Sequence, residues 1–196
     1  MIDILFEPFT YTYMAKAIFI STIVGALCGF LSSYLMLKGW SLMGDALSHS
    51  VVPGVAGAYI LGLPFSIGAF ISGSLAALTM LFLNKETKLK EDAIIGIIFT
   101  SFFALGLFMI SLNPTSVDIK KIILGNILGI SDFDLIQLII VSSISLSILI
   151  FYWKDIMIVF FDETHSNTIG ISPIKTKLIF FIILSVSTVA ALQTVG

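Results

Sequence analysis

Apolar residues run through this chain in long blocks, and polar residues collect in the short stretches between them. A helix that crosses a bilayer needs about 20 mostly apolar residues. About six blocks approach that length: Met14–Leu37, Ser41–Leu61, Phe65–Leu83, Ala93–Leu112, Asp132–Trp153 and Lys177–Gly196. Between the fourth and fifth lies Asn113–Ser131, whose Ile122–Ile130 part is apolar but too short to span. It reads as a short helix at the surface or dipping into the bilayer. Local signals mark several boundaries. Leu63-Pro64 separates the second and third blocks, Asn113-Pro114 ends the fourth, and Ser131-Asp132-Phe133-Asp134 resembles a capping box opening the fifth. The spacings Gly25…Gly29 and Gly54…Gly57 would let helices approach closely.

The pattern therefore predicts an all-α, polytopic transmembrane bundle in a single domain, 1–196. Composition agrees: 58% of the 196 residues are hydrophobic and 11% are charged, with a mean hydropathy of +1.10, outside the range of soluble domains. All ten basic residues are lysines, so the bidentate guanidinium contacts of a phosphate- or nucleic-acid-binding surface are missing. The lone Cys28 permits no intrachain disulfide and reads as a small packing residue. The acidic start lacks the basic region of a signal peptide, so the first block is expected to be retained as a span.

Lysine placement predicts orientation. Lys38, Lys85, Lys88, Lys90, Lys154, Lys175 and Lys177 fall on one side of a six-span arrangement. The positive-inside rule makes that side cytoplasmic, with Lys120 and Lys121 counting the other way.

The second block holds the most informative chemistry. In Gly44-Asp45-Ala46-Leu47-Ser48-His49, a carboxylate and an imidazole stand at i and i+4, on one helix face. Ionisable groups at membrane depth are costly and mark functional sites by default, and Asp with neutral His is a sensible ligand pair for a divalent cation. Two alternatives stay open at this point: a proton relay, and a structural role in which Asp45 caps amides and His49 bonds a carbonyl across an interface. Pro53 lacks the amide hydrogen that the His49 carbonyl would receive, so Pro53 and Gly54 predict a kink and a freed oxygen donor, with the Ser48 and Ser50 hydroxyls nearby. One subunit supplies two strong ligands, fewer than a four- to six-coordinate metal requires. A two-fold dimer would supply two Asp and two His.

A second polar stretch, Asp155–Thr176, interleaves Asp162, Glu163 and His165 with Phe160, Phe161, Ile169 and Ile171. It predicts a short amphipathic helix ended by Gly170, with a solvated face at a docking surface rather than a metal site. The chain has no Walker A sequence, no HExxH and no nucleophile elbow, so no enzyme of those classes is expected.

Gly44 through Ala56, with Ser48-His49-Ser50-Val51-Val52-Pro53-Gly54 at its centre, resembles the signature of the manganese/zinc/iron ABC-transporter permeases, the ABC-3 family. Leu37-Lys38-Gly39-Trp40-Ser41-Leu42-Met43, Ile123 through Ile130, and Phe161-Asp162-Glu163-Thr164-His165 with Ile169-Gly170-Ile171 agree with it, so the resemblance covers essentially the whole chain. It implies a multi-pass permease of the bacterial inner membrane, working as a homodimer in membrane lipid. Two separate ATP-binding subunits and an external metal-binding protein are its implied partners, and nucleic acid is not. Asp45 and His49 would be the pathway ligands for a transported Mn²⁺, Zn²⁺ or Fe²⁺, with no permanently bound cofactor. Phe161, Asp162, Glu163, His165, Ile169 and Gly170 would belong to the segment that docks the ATPase. The family pattern carries on past Thr194-Val195-Gly196, which implies a domain incomplete at its C-terminus. A secondary, proton-coupled metal transporter using Asp45 and His49 as a relay is the alternative.

Overall fold

The computed structural model describes Glu7, residues 9–112 and residues 132–195. Every element reported among them is a helix: α1 (Thr12–Lys38), α2 (Met43–Ser50), α3 (Val52–Leu61), α4 (Phe65–Glu86), α5 (Glu91–Leu112), α6 (Asp132–Phe161), α7 (Glu163–Thr168) and α8 (Pro173–Val195). Five of these, α1, α4, α5, α6 and α8, are long and apolar enough to cross a membrane. The surface-helix expectation for Ile122–Ile130, the stretch Ile123–Ile130 and the lysines at 120 and 121 lie outside the described residues, as does the side-chain part of the expected capping box.

The expected second span, Ser41–Leu61, is not one helix. It is divided at Val51 into α2 and α3. At about 1.5 Å of rise per residue, the 8 residues of α2 and 10 of α3 together approach the ~30 Å hydrocarbon thickness, so the pair is long enough to form one broken span. Other ends also differ from expectation. Helix α6 runs on to Phe161 rather than stopping at Trp153, and α8 opens at Pro173 rather than Lys177. Charge alone does not end a helix: beyond Lys154 and Asp155, the side chains of Ile156, Val159 and Phe160 are still buried in the bundle. Proline is well suited to the first helical position, where its missing amide costs nothing.

Helix α8 is the central element. Half of its most apolar stretch is buried, 50% against 22% for α5 and α6, and it packs on α4, α6, α2 and α1. The other helices turn large apolar side chains outward, among them Phe19, Phe82, Phe108 and Phe151, as a lipid-facing surface requires. Helix α1 stops at Gly39, whose φ of 77° only glycine adopts without strain. The Trp40 amide then reaches back to the Leu35 carbonyl at 2.8 Å.

Glycine sets the closest contacts. A Cβ at Gly54 of α3 would collide with the backbone of Gly68 of α4, and one at Gly68 would collide with Gly54 and Ala58. One at Gly106 of α5 would come within 2.7 Å of Val52 and 2.8 Å of the Pro53 nitrogen. The expected close approach at Gly25…Gly29 is not made within this chain, since nothing lies within 4 Å of a Cβ at either. Cys28, expected to be packed, is exposed on α1. Gly54→Ala and Gly68→Ala should each weaken the fold by about 1–3 kcal/mol or more, the cost of overpacking. Gly25→Ala should leave stability unchanged or slightly raised, because alanine favours helix over glycine. Unfolding of the purified chain in mixed micelles of mild and denaturing detergent measures all three.

Candidate functional site

Helix α2 carries Asp45 in its first turn and His49 in its last. Met43, Ala46 and Leu47 are buried beneath it, which fixes the opposite face outward. On that face Asp45 Oδ1 and His49 Nε2 lie 3.6 Å apart, with side-chain exposures of 71% and 38%. This is too long for a hydrogen bond. It is close to the separation of roughly 3.4 Å between two ligands of one tetrahedral cation at metal–ligand distances near 2.1 Å. The imidazole is steadied by two rings of α5, Phe99 at 5.3 Å and Phe103 at 5.4 Å between centroids. The spacing in sequence is thus realised as a juxtaposition in space, open at the surface of a single chain.

Several oxygens expected beside the pair already have hydrogen-bond partners within the helix. The Ser48 hydroxyl donates to the Asp45 carbonyl at 2.7 Å, and the Ser50 hydroxyl, fully buried, donates to the Ala46 carbonyl at 2.6 Å. The amide turned toward the His49 carbonyl is that of Val51, two residues on, in place of the helical donor that Pro53 lacks. Pro53 does mark the interruption, but Val51 keeps helical dihedrals, φ −73° and ψ −26°, so the hydrogen-bond ladder is broken without the backbone leaving helical space. The Ser72 hydroxyl of α4 donates to the Ser50 carbonyl at 2.6 Å, a contact no local pattern signals. Among the described residues no group of three or more His, Cys, Asp or Glu could hold a metal. The pair therefore stands as two ligands, without a third acidic, thiol or imidazole group beside it.

The stretch Asp155–Thr176 is not a loop throughout. Its two ends belong to α6 and α8, and α7 sits between them. Asp162 is the N-cap of α7: its Oδ1 accepts from the Thr164 amide at 2.8 Å and the His165 amide at 3.1 Å. Gly170, at φ 83°, closes the other end, and the Ile171 amide bonds the Ser166 carbonyl at 2.9 Å. Phe161, His165 and Ile169 face outward and are available to a partner, Phe161 at 86% exposure. Glu163 is not. Its Oε1 takes Lys38 Nζ at 2.9 Å and Lys177 Nζ at 2.6 Å. Burial pushes its carboxyl up, but hydrogen bonds from Lys177 and Lys38, with their charges, outweigh that and hold it below its ordinary value.

The same end of the bundle holds an aromatic cluster. Trp40 is 2% exposed, stacks on Phe181 at 5.2 Å and meets Phe160 edge-on at 5.7 Å. Phe160 and Phe180 lie 4.8 Å apart. The Trp40 indole donates to Glu91 at the start of α5, and Asn84 at the end of α4 donates to the other Glu91 oxygen at 3.3 Å. Lys38, Lys85 and Lys177 thus converge at one end of the bundle, as the lysine distribution predicts. Lys85 and Lys177 line a cleft of about 520 Å³ together with Glu163.

The description of the ABC 3 transport family matches residues 10–196. A chelated iron transport system membrane protein from Yersinia pestis, YfeC, is 62% identical over the whole chain, which covers 67% of that protein. A manganese transport system membrane protein from Synechocystis, MntB, is 48% identical over 98% of the chain and 63% of its own length. The chain thus spans about two thirds of these relatives. The solved structure of PsaBC from Streptococcus pneumoniae in complex with Fab superposes with a TM-score of 0.82 at 34% identity, covering 100% of this chain and 71% of that one.

Because the Glu163 carboxyl sits below its ordinary value when folded, its contribution is fully present above the ordinary carboxylate value. It is lost as pH falls through the lowered one. Thermal unfolding in detergent followed from neutral to acid pH should show that loss, and Glu163→Gln should flatten this part of the profile.

Proposed function

The chain belongs to the ABC 3 transport family, and on that premise we propose that it is the membrane-spanning subunit of an ATP-driven importer of a first-row divalent metal. Asp45 and His49 are the ligands it offers to the passing ion. The observation that carries this reading is their 3.6 Å juxtaposition on an outward face of a short helix within a broken span. A carboxylate and an imidazole without thiolate suit Mn²⁺, Fe²⁺ and Zn²⁺ alike; iron and manganese are the metals named for the relatives. Two ligands do not complete a coordination sphere. A second copy of the chain, bringing its own pair to the same path, supplies the remainder.

The partners follow from the family. Two ATP-binding subunits engage the lysine-rich end through Phe161, His165 and Ile169, and an external metal-binding protein delivers the ion at the other end. The lysine-rich end is cytoplasmic by the positive-inside rule. Nothing supports the secondary, proton-coupled alternative. ATP-driven rearrangement changes access to the pair, and the partners' differential binding to the two states supplies the free energy.

Asp45→Asn and His49→Ala, made in the complete transport system, should each lower uptake of radioactive Mn²⁺ or Fe²⁺ by more than the roughly 10–100-fold that loss of a mere supporting group costs a metal site. Membrane levels of the complex should not change. Normal uptake by both variants would defeat the proposal. At the other end, Phe161→Asp together with Ile169→Asp should release the ATP-binding subunit during co-purification, because a charged pair replaces the exposed apolar contacts. Undiminished co-purification would place the docking surface elsewhere.

A further inference from the structure

Helix α7 is a stiff hook. Asp162 caps its start, Gly170 closes its end, and Ser166 beneath it is fully buried. It rides on its chain neighbours α6 and α8. One polar link takes it across 125 residues of sequence, from Glu163 to Lys38 at 2.9 Å. Lys38 is the last residue of α1, and the corner that follows leads within seven residues to Asp45. That corner is itself firm. Gly39 fixes the turn, and Trp40 is wedged against Phe160 and Phe181 and bonded to Glu91. On its far side α2 ends at the interruption before Val52, where the Ser72–Ser50 bond replaces continuous helix. An eight-residue helix bounded by a held corner and an interrupted ladder can move as a unit relative to α3.

We propose that Glu163 and Lys38 form a coupling pin that carries displacement of α7 to helix α2, and so to Asp45 and His49. This rests on the reading of the lysine-rich end as the face of the ATP-binding subunit. Both are positioning residues: neither touches the ion. Lys177 shares the same carboxylate oxygen but stands at the start of α8, next to α7 in the chain, and anchors rather than transmits. The arrangement therefore predicts an asymmetry between two lysines that bond one oxygen. Lys38→Gln keeps the Glu163–Lys177 anchor and loses the link to α2. Lys177→Gln keeps the link.

The test uses the complete transport complex in proteoliposomes, with Ser48→Cys on α2 as reporter in a Cys28→Ser background. The rate of maleimide labelling is measured with and without ATP, alongside ATP hydrolysis and co-purification of all subunits. In Lys38→Gln the ATP-dependent change in labelling should shrink at least about fivefold, the lower end of ordinary coupling between sites, with hydrolysis and assembly retained. In Lys177→Gln the change should stay close to that of the reporter chain. Equal effects of the two substitutions would mark the triad as a stabilising contact and overturn the proposal, as would an undiminished change in Lys38→Gln. The labelling is run with no metal added, so normal uptake by both Asp45→Asn and His49→Ala would defeat the metal reading without touching this result.

Discussion

A bilayer offers no water to repair a broken helix, so the interruption at Val51 has to be satisfied from inside the bundle. Pro53 removes one amide from the ladder, and the Ser72 hydroxyl is brought to the Ser50 carbonyl at 2.6 Å. That donor can reach only because α4 lies unusually close to α3. The closeness comes from Gly54 facing Gly68, where backbone meets backbone and neither position admits a Cβ. On the other side Gly106 lets α5 close against Val52 and the Pro53 nitrogen. Proline, serine and three glycines therefore meet at one place: the proline interrupts the ladder at the His49 carbonyl, the serine serves the carbonyl next to it, and the small residues admit the helices that pack around the interruption. Remove the close approach and the break becomes an exposed defect in hydrocarbon, which is why the rest of the span depends on it.

The break also decides what kind of element carries the polar pair. In a continuous helix from Ser41 to Leu61, Asp45 and His49 would be tied to the glycine-packed segment by the helix itself. Division leaves them on eight residues, with buried Met43, Ala46 and Leu47 on one face and the pair on the other. Phe99 and Phe103 hold the imidazole from α5, so its orientation is set by a neighbouring span.

Helices and the interruption were legible because both are local. Long apolar blocks imply spans, and proline implies a missing hydrogen bond wherever it falls. The Asp45–His49 spacing was legible for the same reason, since i and i+4 on a helix leave little freedom. What could not be read was tertiary. Nothing near Ser72 announces that its hydroxyl caps another helix, and nothing near Glu163 announces Lys38, 125 residues away. Glu163, read as a solvated docking charge, is also held between two lysines, and Asp162 also serves as a cap. Glycine misled in both directions. Gly25 and Gly29 have ideal spacing and face open space, whereas Gly68 and Gly106, in no expected motif, sit at the tightest crossings. Spacing shows that helices can approach; only the partner surface decides whether they do.

The molecule thus uses two kinds of contact at its two ends. Around Gly54, Gly68 and Gly106 the helices meet through backbone and small side chains. Such contacts are short and stiff, and any sliding opens a void or a clash, so this region moves as one body or not at all. At the lysine-rich end the links are made by long side chains: Lys38 and Lys177 to Glu163, Trp40 to Glu91. A lysine–carboxylate link ties two elements at a single point and passes the movement of one to the other. The glycine-packed helices give a fixed frame, and on the proposed reading the firm corner at Gly39 and Trp40 moves with its short helix as one piece against it.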